Sequence, residues 1–347
     1  MSRKICIIGH FAFGKKALNG QTIKTQNLAY AFETYTDFEL VNIDTYNWTK
    51  HPLALIGKIK KAFSVCDAVI MLPAHNGVKV FSPILTHYKK KYNKKIFYDV
   101  IGGWLPKMLS DKPKLTKTLK GFDGIWVETN TMKRKLEAQG FSNITLIKNF
   151  KKLSETREDE LIYSSDAPFK LCTFSHVMKE KGIGDAIDVI KRVNERCGQT
   201  VYTLDIYGQI EAGNKEWFDG ILAELPDFAS YRGYIEADQS VQTLKPYFAL
   251  LFPTRFYTEG VPGTIIDAYA AGIPVISAKW ESFADVVDDG VTGIGYEFDN
   301  LKAFEDLLFD IASNPQRLSD MKISSLHKAK EFIPKTVIEM IVKEINK

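Results

Sequence analysis

The stretch Thr258-Glu259-Gly260-Val261-Pro262-Gly263-Thr264-Ile265-Ile266-Asp267-Ala268-Tyr269-Ala270-Ala271-Gly272-Ile273-Pro274-Val275 reads as loop, helix, turn and strand. Glu259 sits in a Gly/Pro-rich turn. Pro262 reads as a first helical residue, where its missing N–H costs nothing, and Gly272-Ile273-Pro274 stops the helix ahead of a Val-Ile strand. The loop amides and the positive dipole end of such a helix favour a bound anion. Glu259 lies within reach of whatever that anion carries. Asp267, eight positions later, lies further along the helix.

Outward from this stretch the same alternation repeats along the chain. Lys4–Gly9 is a short buried-strand run, followed by a Gly-rich loop and a helix over Gln21–Glu33. Strand candidates follow at 38–43, 68–72, 95–100, 124–128 and 144–147, with helical patterns between them. Near residue 150 the pattern resets: residues 151–167 are polar without a sustained period, as linkers usually are. A second series runs through 169–174, 201–207, 231–233, 249–252 and 275–277, with helices at 182–196 and 215–225 and closing helices at 301–313, 316–331 and 336–346. Strands alternating with helices predict parallel sheets covered on both faces. The fold class is therefore α/β, with two Rossmann-like doubly wound domains facing each other across a cleft, where ligands of such folds bind. The expected domains are 1–153, 154–330 and a C-terminal helix, 331–347, packing back toward the first.

Length, composition and charge narrow the function. The 347 residues are 45% hydrophobic and 25% charged, as in ordinary globular proteins, and no apolar run reaches the ~18 residues of a membrane span. The expected location is cytoplasmic. Cys6, Cys66, Cys172 and Cys197 are scattered without metal-ligand spacing, so reduced structural thiols are expected and no metal site. Residues 1–153 hold 26 Lys/Arg against 10 Asp/Glu, net +16, whereas residues 154–347 hold 20 against 32, net −12. The basic clusters Lys58/Lys60/Lys61, Lys89–Lys91 with Lys94 and Lys95, Lys112/Lys114/Lys117/Lys120 and Lys133–Lys135, interleaved with Phe63, Tyr88 and Tyr92, suit an anionic membrane or a polyanion, or else a merely solvated surface. No helix-turn-helix, RRM or finger pattern accompanies them, so nucleic acid is not expected.

Together these motifs resemble the retaining GT-B glycosyltransferases of family 4. Besides the opening stretch, residues 174–183 (Phe-Ser-His-Val-Met-Lys-Glu-Lys-Gly-Ile) are similar to the family's Gly-Arg-Leu-x-x-x-Lys-Gly loop. Residues 204–208 resemble its strand ending in glycine, here Gly208, and Arg232-Gly233-Tyr234-Ile235 the loop that cradles the nucleotide base. Residues 281–293 look like the stretch after the donor motif, and Leu146–Asn149 like the hinge entry. The resemblance implies that Lys181 and the amides of Val261, Gly263 and Thr264 offset charge on a leaving diphosphate, and that Glu259 faces the donor sugar as the catalytic carboxylate. Asp267 stands where the family has a second glutamate, the usual partner of the ribose hydroxyls. His176 replaces the family's arginine, with either the phosphates raising its pKa or Lys179 and loop amides compensating.

In the first half, the helix opened by Gly20 and Gln21 aims its amides at the same diphosphate. No Gly-x-Gly-x-x-Gly is present there, which disfavours a nicotinamide enzyme. Leu72–Gly77 ends a strand and carries His75, either a second contact to the donor sugar or an ordinary loop histidine, and Asn76. Gly102, Gly103 and Trp104 follow another strand; the glycines permit close approach and Trp104 is either a sugar-stacking platform or a core tryptophan.

The resemblance implies a retaining, metal-independent transfer of a hexosyl group from a UDP- or GDP-sugar to a hydroxyl of a saccharide or polyprenyl-diphosphate-linked acceptor, with no cofactor. Surface polysaccharide assembly at the inner face of the membrane is the implied setting, with peripheral contact to anionic lipid. A nucleotide-sugar epimerase and a non-catalytic sugar-nucleotide-binding subunit are the alternatives.

Overall fold

The computed structural model describes residues 3–15, 19–154 and 156–347; the first two residues, residues 16–18 of the first loop, Leu18 among them, and Glu155 of the connecting segment lie outside the described residues. The chain forms two compact units, Met1–Lys152 with Glu331–Lys347, and Leu153–Lys330.

In the first unit, β1 (Lys4–Gly9), β2 (Glu39–Asp44), β3 (Ala68–Met71), β4 (Lys95–Asp99), β5 (Gly124–Val127) and β6 (Ile144–Leu146) form a parallel sheet in the order β2-β1-β3-β4-β5-β6. The central strands are buried on both faces, which is why they read as continuous apolar runs rather than alternating ones. Between them run α1 (Gly20–Tyr35), α2 (Pro52–Val65), α3 (His75–Tyr92), α4 (Leu105–Leu109), α5 (Pro113–Lys120) and α6 (Asn130–Ala138). Local chemistry sets their starts: the Asn19 side chain accepts from the Thr22 amide, Thr129 from that of Met132, and α2 and α5 open on proline. Phe63 is fully buried and Tyr88 and Tyr92 pack on it at centroid distances of 5.7 and 6.4 Å. That corrects the reading of Phe63 as a membrane-facing aromatic: its ring belongs to the core under α2 and α3.

The second unit repeats the architecture. Strands β7 (Phe169–Phe174), β8 (Tyr202–Tyr207), β9 (Ala229–Gly233), β10 (Ala249–Phe252), β11 (Val275–Ala278) and β12 (Gly293–Tyr296) lie in the order β12-β11-β10-β7-β8-β9. Helices α7 (Ile183–Cys197), α8 (Lys215–Ala223), α9 (Ser240–Leu244), α10 (Gly263–Ala270), α11 (Phe283–Val286) and α12 (Leu301–Ser313) connect and cover them. The predicted helix at 316–331 is instead two short ones, α13 (Gln316–Ser319) and α14 (Lys322–Lys328), followed by a single 3-10 turn. Lys322 divides them: it is 1% exposed and donates to the Tyr247 carbonyl at 3.1 Å, so α14 is oriented by a buried contact that periodicity does not show. The last helix, α15 (Pro334–Asn346), belongs to the first unit, where Val337, Ile338, Ile341 and Ile345 join the core of Ile5, Ile7, Phe32 and Trp126.

Candidate active site

The loops after β7, β8, β9 and β10 are tied together at the carboxyl edge of the second sheet. Ser175 donates its amide to the Tyr207 carbonyl at 3.2 Å, Gly208 to that of Gly233 at 2.9 Å, and Arg255 to that of Glu180 at 2.8 Å. Two glycines make this possible. A Cβ at Gly208 would lie 1.7 Å from the Ser175 carbonyl oxygen, and one at Gly182 would lie 1.9 Å from that of Pro253; both residues also adopt positive φ, 141° and 69°. Gly182 ends the 3-10 turn Lys179–Lys181 and caps α7, which fixes the direction of the Lys181 side chain.

That side chain forms an ion pair with Glu259, each being 17% exposed. Thr254 Oγ1 donates to the same carboxylate at 3.1 Å, and the Lys181 ammonium stands 5.0 and 5.6 Å from the ring centroids of Phe256 and Phe252. Glu259 is therefore a charged side chain held in one place on a loop that would otherwise be free to move. A second clamp holds the same loop: Arg255 Nε and Nη2 donate to the two oxygens of Asp185 on α7, at 2.7 and 2.5 Å.

Pro262 is the N-cap of α10 and not its first helical residue, as φ −67° with ψ 127° shows. The first intrahelical bonds come from Ile265 and Ile266 to the Pro262 carbonyl, so the Gly263 and Thr264 amides head the helix. Among the described residues the buried Thr264 Oγ1 has no hydrogen-bond partner. A hydroxyl and two leading amides at one helix end form a donor-rich seat for phosphate oxygens. Val261, 5% exposed, packs beneath this turn.

Asp267 lies deeper than Glu259. It is 2% exposed and accepts from Ser240 Oγ of α9 at 3.0 Å, so the two carboxylates of the motif do not share an environment. His176 Nδ1 is 3.1 Å from Glu211 Oε2, a partner that lies 35 residues away and carries no local signal. Tyr234, after β9, is 39% exposed, with its hydroxyl 3.2 Å from Glu236; burial and then that carboxylate push the phenol up to about 12. Sequence reasoning missed Thr254, Arg255, Asp185, Ser240 and Glu211. Only Thr254 and Arg255 were findable, since both fall in the loop before Glu259.

In the first unit the predicted residues also gather at strand ends. Gln21, in the first turn of α1, donates Nε2 to the Leu72 carbonyl at 3.1 Å, and His10 Nδ1 is 2.6 Å from Thr22 Oγ1. His75 and Asn76, read as a strand end, are exposed residues of the first turn of α3. The His75 ring stacks on Trp104, with centroids 3.9 Å apart and planes at 26°, so one indole face is already covered. Burial, then the nearby Lys79, holds the imidazole below its ordinary range. Gly103 is buried and Gly102 adopts φ 70°, which lets the chain turn tightly enough to present Trp104.

The sequence model of the family described as glycosyl transferases group 1 matches residues 168–314. Over 131 residues the chain is 25% identical to the amylovoran biosynthesis glycosyltransferase AmsK of Erwinia amylovora; the alignment covers 36% of this chain and 31%, about a third, of that relative. Similar solved structures extend over the whole chain. Anabaena Alr3699/HepE in complex with UDP has a TM-score of 0.77 at 13% identity and 99% coverage of both chains. The lipopolysaccharide outer core galactosyltransferase WaaB, in its apo form, has a TM-score of 0.72 at 19% identity, again with 99% of both chains covered. These likenesses show the fold, the GT-B architecture of two Rossmann-like units. The group 1 match spans the whole of the Lys181, Glu259 and α10 arrangement.

Proposed function

We propose that the protein is a retaining glycosyltransferase that moves a hexosyl group from a nucleoside-diphosphate sugar to a hydroxyl acceptor. The observation that carries this reading is the Lys181–Glu259 pair set against the donor-rich start of α10. An incoming diphosphate would take hydrogen bonds from the Gly263 and Thr264 amides and Thr264 Oγ1, and would draw the Lys181 ammonium from Glu259. Glu259 would then be released to bind the sugar hydroxyls and to face the positive character that grows at the anomeric carbon. The bond from that carbon to the β-phosphate oxygen breaks as a bond to the acceptor oxygen forms on the same face. The acceptor's proton passes to the departing phosphate oxygen, so charge offset by Lys181 and fixed amides serves in place of a metal or a strong base. Asp267, through the polar network it shares with Ser240, is the proposed partner of the ribose, His176 and Gly208 line the diphosphate approach, and Tyr234 borders the base. Gly20 and Gln21, which open α1 of the first unit, are proposed as further phosphate contacts.

The acceptor is assigned to the loop of Gly102, Gly103 and Trp104 with Asn76 and His75, whose stacked imidazole and indole offer a flat apolar edge to a saccharide. The Anabaena neighbour's complexes with UDP and UDP-glucose make UDP-sugars the first donors to test. The amylovoran relative supports polysaccharide assembly, with a saccharide or polyprenyl-diphosphate-linked acceptor. Glu259→Gln tests the assignment because it preserves shape and removes charge. Transfer should fall by about 100-fold or more while calorimetry shows nucleoside-diphosphate binding intact; wild-type turnover in this variant would overturn the role of Glu259.

A further inference from the structure

Three charged side chains lie almost wholly inside the first unit, and none of them has been given a role above. Lys24 of α1, Asp99 at the end of β4 and Glu128 just after β5 have side chains 4%, 2% and 3% exposed. The Lys24 ammonium is 2.7 Å from Asp99 Oδ1, 2.8 Å from Glu128 Oε1 and 2.7 Å from the Val100 carbonyl oxygen. An ammonium has three protons, and here it meets three oxygens. The contact with Asp99 is ionic, without hydrogen-bond alignment at Oδ1.

Burying three charges is costly, and an apolar trio of similar volume stabilises a core at least as well. The place explains the choice. All three groups sit at the carboxyl ends of the strands, where doubly wound sheets bind their ligands. Val100, whose carbonyl Lys24 holds, is followed directly by Ile101, Gly102, Gly103 and Trp104. The Val100 amide donates to the Trp126 carbonyl at 2.9 Å, so with Lys24 on its carbonyl both backbone polar groups of Val100 are held. Beyond the anchor the chain turns through Gly102, where a Cβ would lie 3.5 Å from the Trp104 ring, and His75 stacks on the indole.

We propose that Lys24, Asp99 and Glu128 form a positioning triad that sets the Gly102–Trp104 loop for the acceptor through the Val100 carbonyl, and that the set position requires Asp99 to be ionised. The proposal rests on the reading of that loop as the acceptor site. With Asp99 ionised, the Lys24 ammonium has two hydrogen-bond acceptors and a carboxylate as its ionic partner. With Asp99 protonated, one attraction is lost and an O–H donor enters a site whose other oxygens already accept from Lys24, so the bonds around Val100 must rearrange. Burial pushes the Asp99 carboxyl up to about 6, Lys24 opposes that rise and Glu128 adds to it. The neighbouring Tyr98 is kept neutral by burial and donates to the Pro73 carbonyl at 2.9 Å. The titratable groups beside Trp104 itself are His75 and Lys79 of α3.

The experiment has a substrate-free arm and a kinetic arm. In the His75→Gln background, which removes the imidazole from the indole, the Trp104 emission, taken as the difference from a Trp104→Phe partner, should shift as pH falls through about 6. The shift should be absent when Asp99→Asn is added. Infrared titration of wild-type protein should show a protonated-carboxyl band over the same range that Asp99→Asn removes. In the kinetic arm, the wild-type KM for acceptor should rise severalfold over this range with kcat following the donor alone. Asp99→Asn, which resembles the protonated state, should hold the higher KM with no step. A flat emission and infrared response in the wild-type fold overturns the triad, even if transfer is observed. Emission and infrared steps without any transfer reaction leave the triad standing and overturn the acceptor reading instead.

Discussion

In the proposed reaction donor chemistry turns on Lys181, because it pairs with Glu259 on the loop that leads into α10. Its half-buried ammonium lies over two phenylalanine rings, which excludes water from one side and strengthens its field on the other. Lys181→Met keeps the stem and removes the charge. A hydrogen bond to a charged group contributes about 1.5–3 kcal/mol, so nucleoside-diphosphate affinity should fall about 10- to 100-fold. The nucleoside alone should bind as before. Calorimetry with both ligands checks this, and an equal loss for the two would mean that Lys181 supports the loop rather than the phosphates. Asp267 differs in kind. Its carboxylate is 2% exposed and held by Ser240, so a ribose that uses it must reach into an existing polar network, which the sequence alone does not reveal.

At the scale of elements, the glycines between strands decide whether the loops can meet. Gly208→Ala places a methyl 1.7 Å from the Ser175 carbonyl oxygen in a backbone with φ 141°, which requires β7 and β8 to part. Strain and overpacking of this sort cost about 2–5 kcal/mol together, to be read from urea unfolding. Gly220→Ala supplies the contrast. That glycine is exposed inside α8 with nothing within 4 Å of a Cβ, and the substitution should stabilise by about 0.5–1 kcal/mol. The same physics explains what was legible in the sequence. Ala249–Phe252 and Leu301–Ser313 were readable to the residue because their apolar periods are strong. Strand β12 was missed because the two glycines of Gly-Ile-Gly-Tyr offset the strand preference of Ile294 and Tyr296; its glycines are required because a Cβ at 293 would lie 2.3 Å from the Val275 carbonyl and one at 295 would lie 2.5 Å from Phe283. Motif residues near one another in sequence, such as Thr258 to Thr264, announced the donor seat. The Lys24 triad did not, since its members are 75 and 104 residues apart and only the sheet order brings them together.

The whole molecule is electrically divided along its units. Counting α15 with the first, Met1–Lys152 and Glu331–Lys347 hold 29 Lys/Arg against 13 Asp/Glu, net +16, and Leu153–Lys330 hold 17 against 29, net −12. Part of the positive charge is spent internally: Lys89 pairs with Asp123 at 2.7 Å, and Lys120 donates to the Gln139 carbonyl at 2.8 Å. On α2, Lys58, Lys60 and Lys61 are exposed, and Leu53 in its first turn is 82% exposed. No helix among those described is long and apolar enough to cross a membrane. The charge of this face supports a proposed attraction to an anionic surface. We expect the protein to bind vesicles containing anionic lipid, to release them as salt is raised, and to ignore neutral vesicles. Each lysine near such a surface contributes about 1 kcal/mol, so replacing Lys58, Lys60 and Lys61 with glutamine should weaken binding about 100-fold. Because these side chains leave the Phe63 core untouched, the melting temperature should stay unchanged, which separates a lost surface from a lost fold. Binding that persists in the triple variant, or that ignores salt, would remove α2 from the contact and return the acceptor to solution.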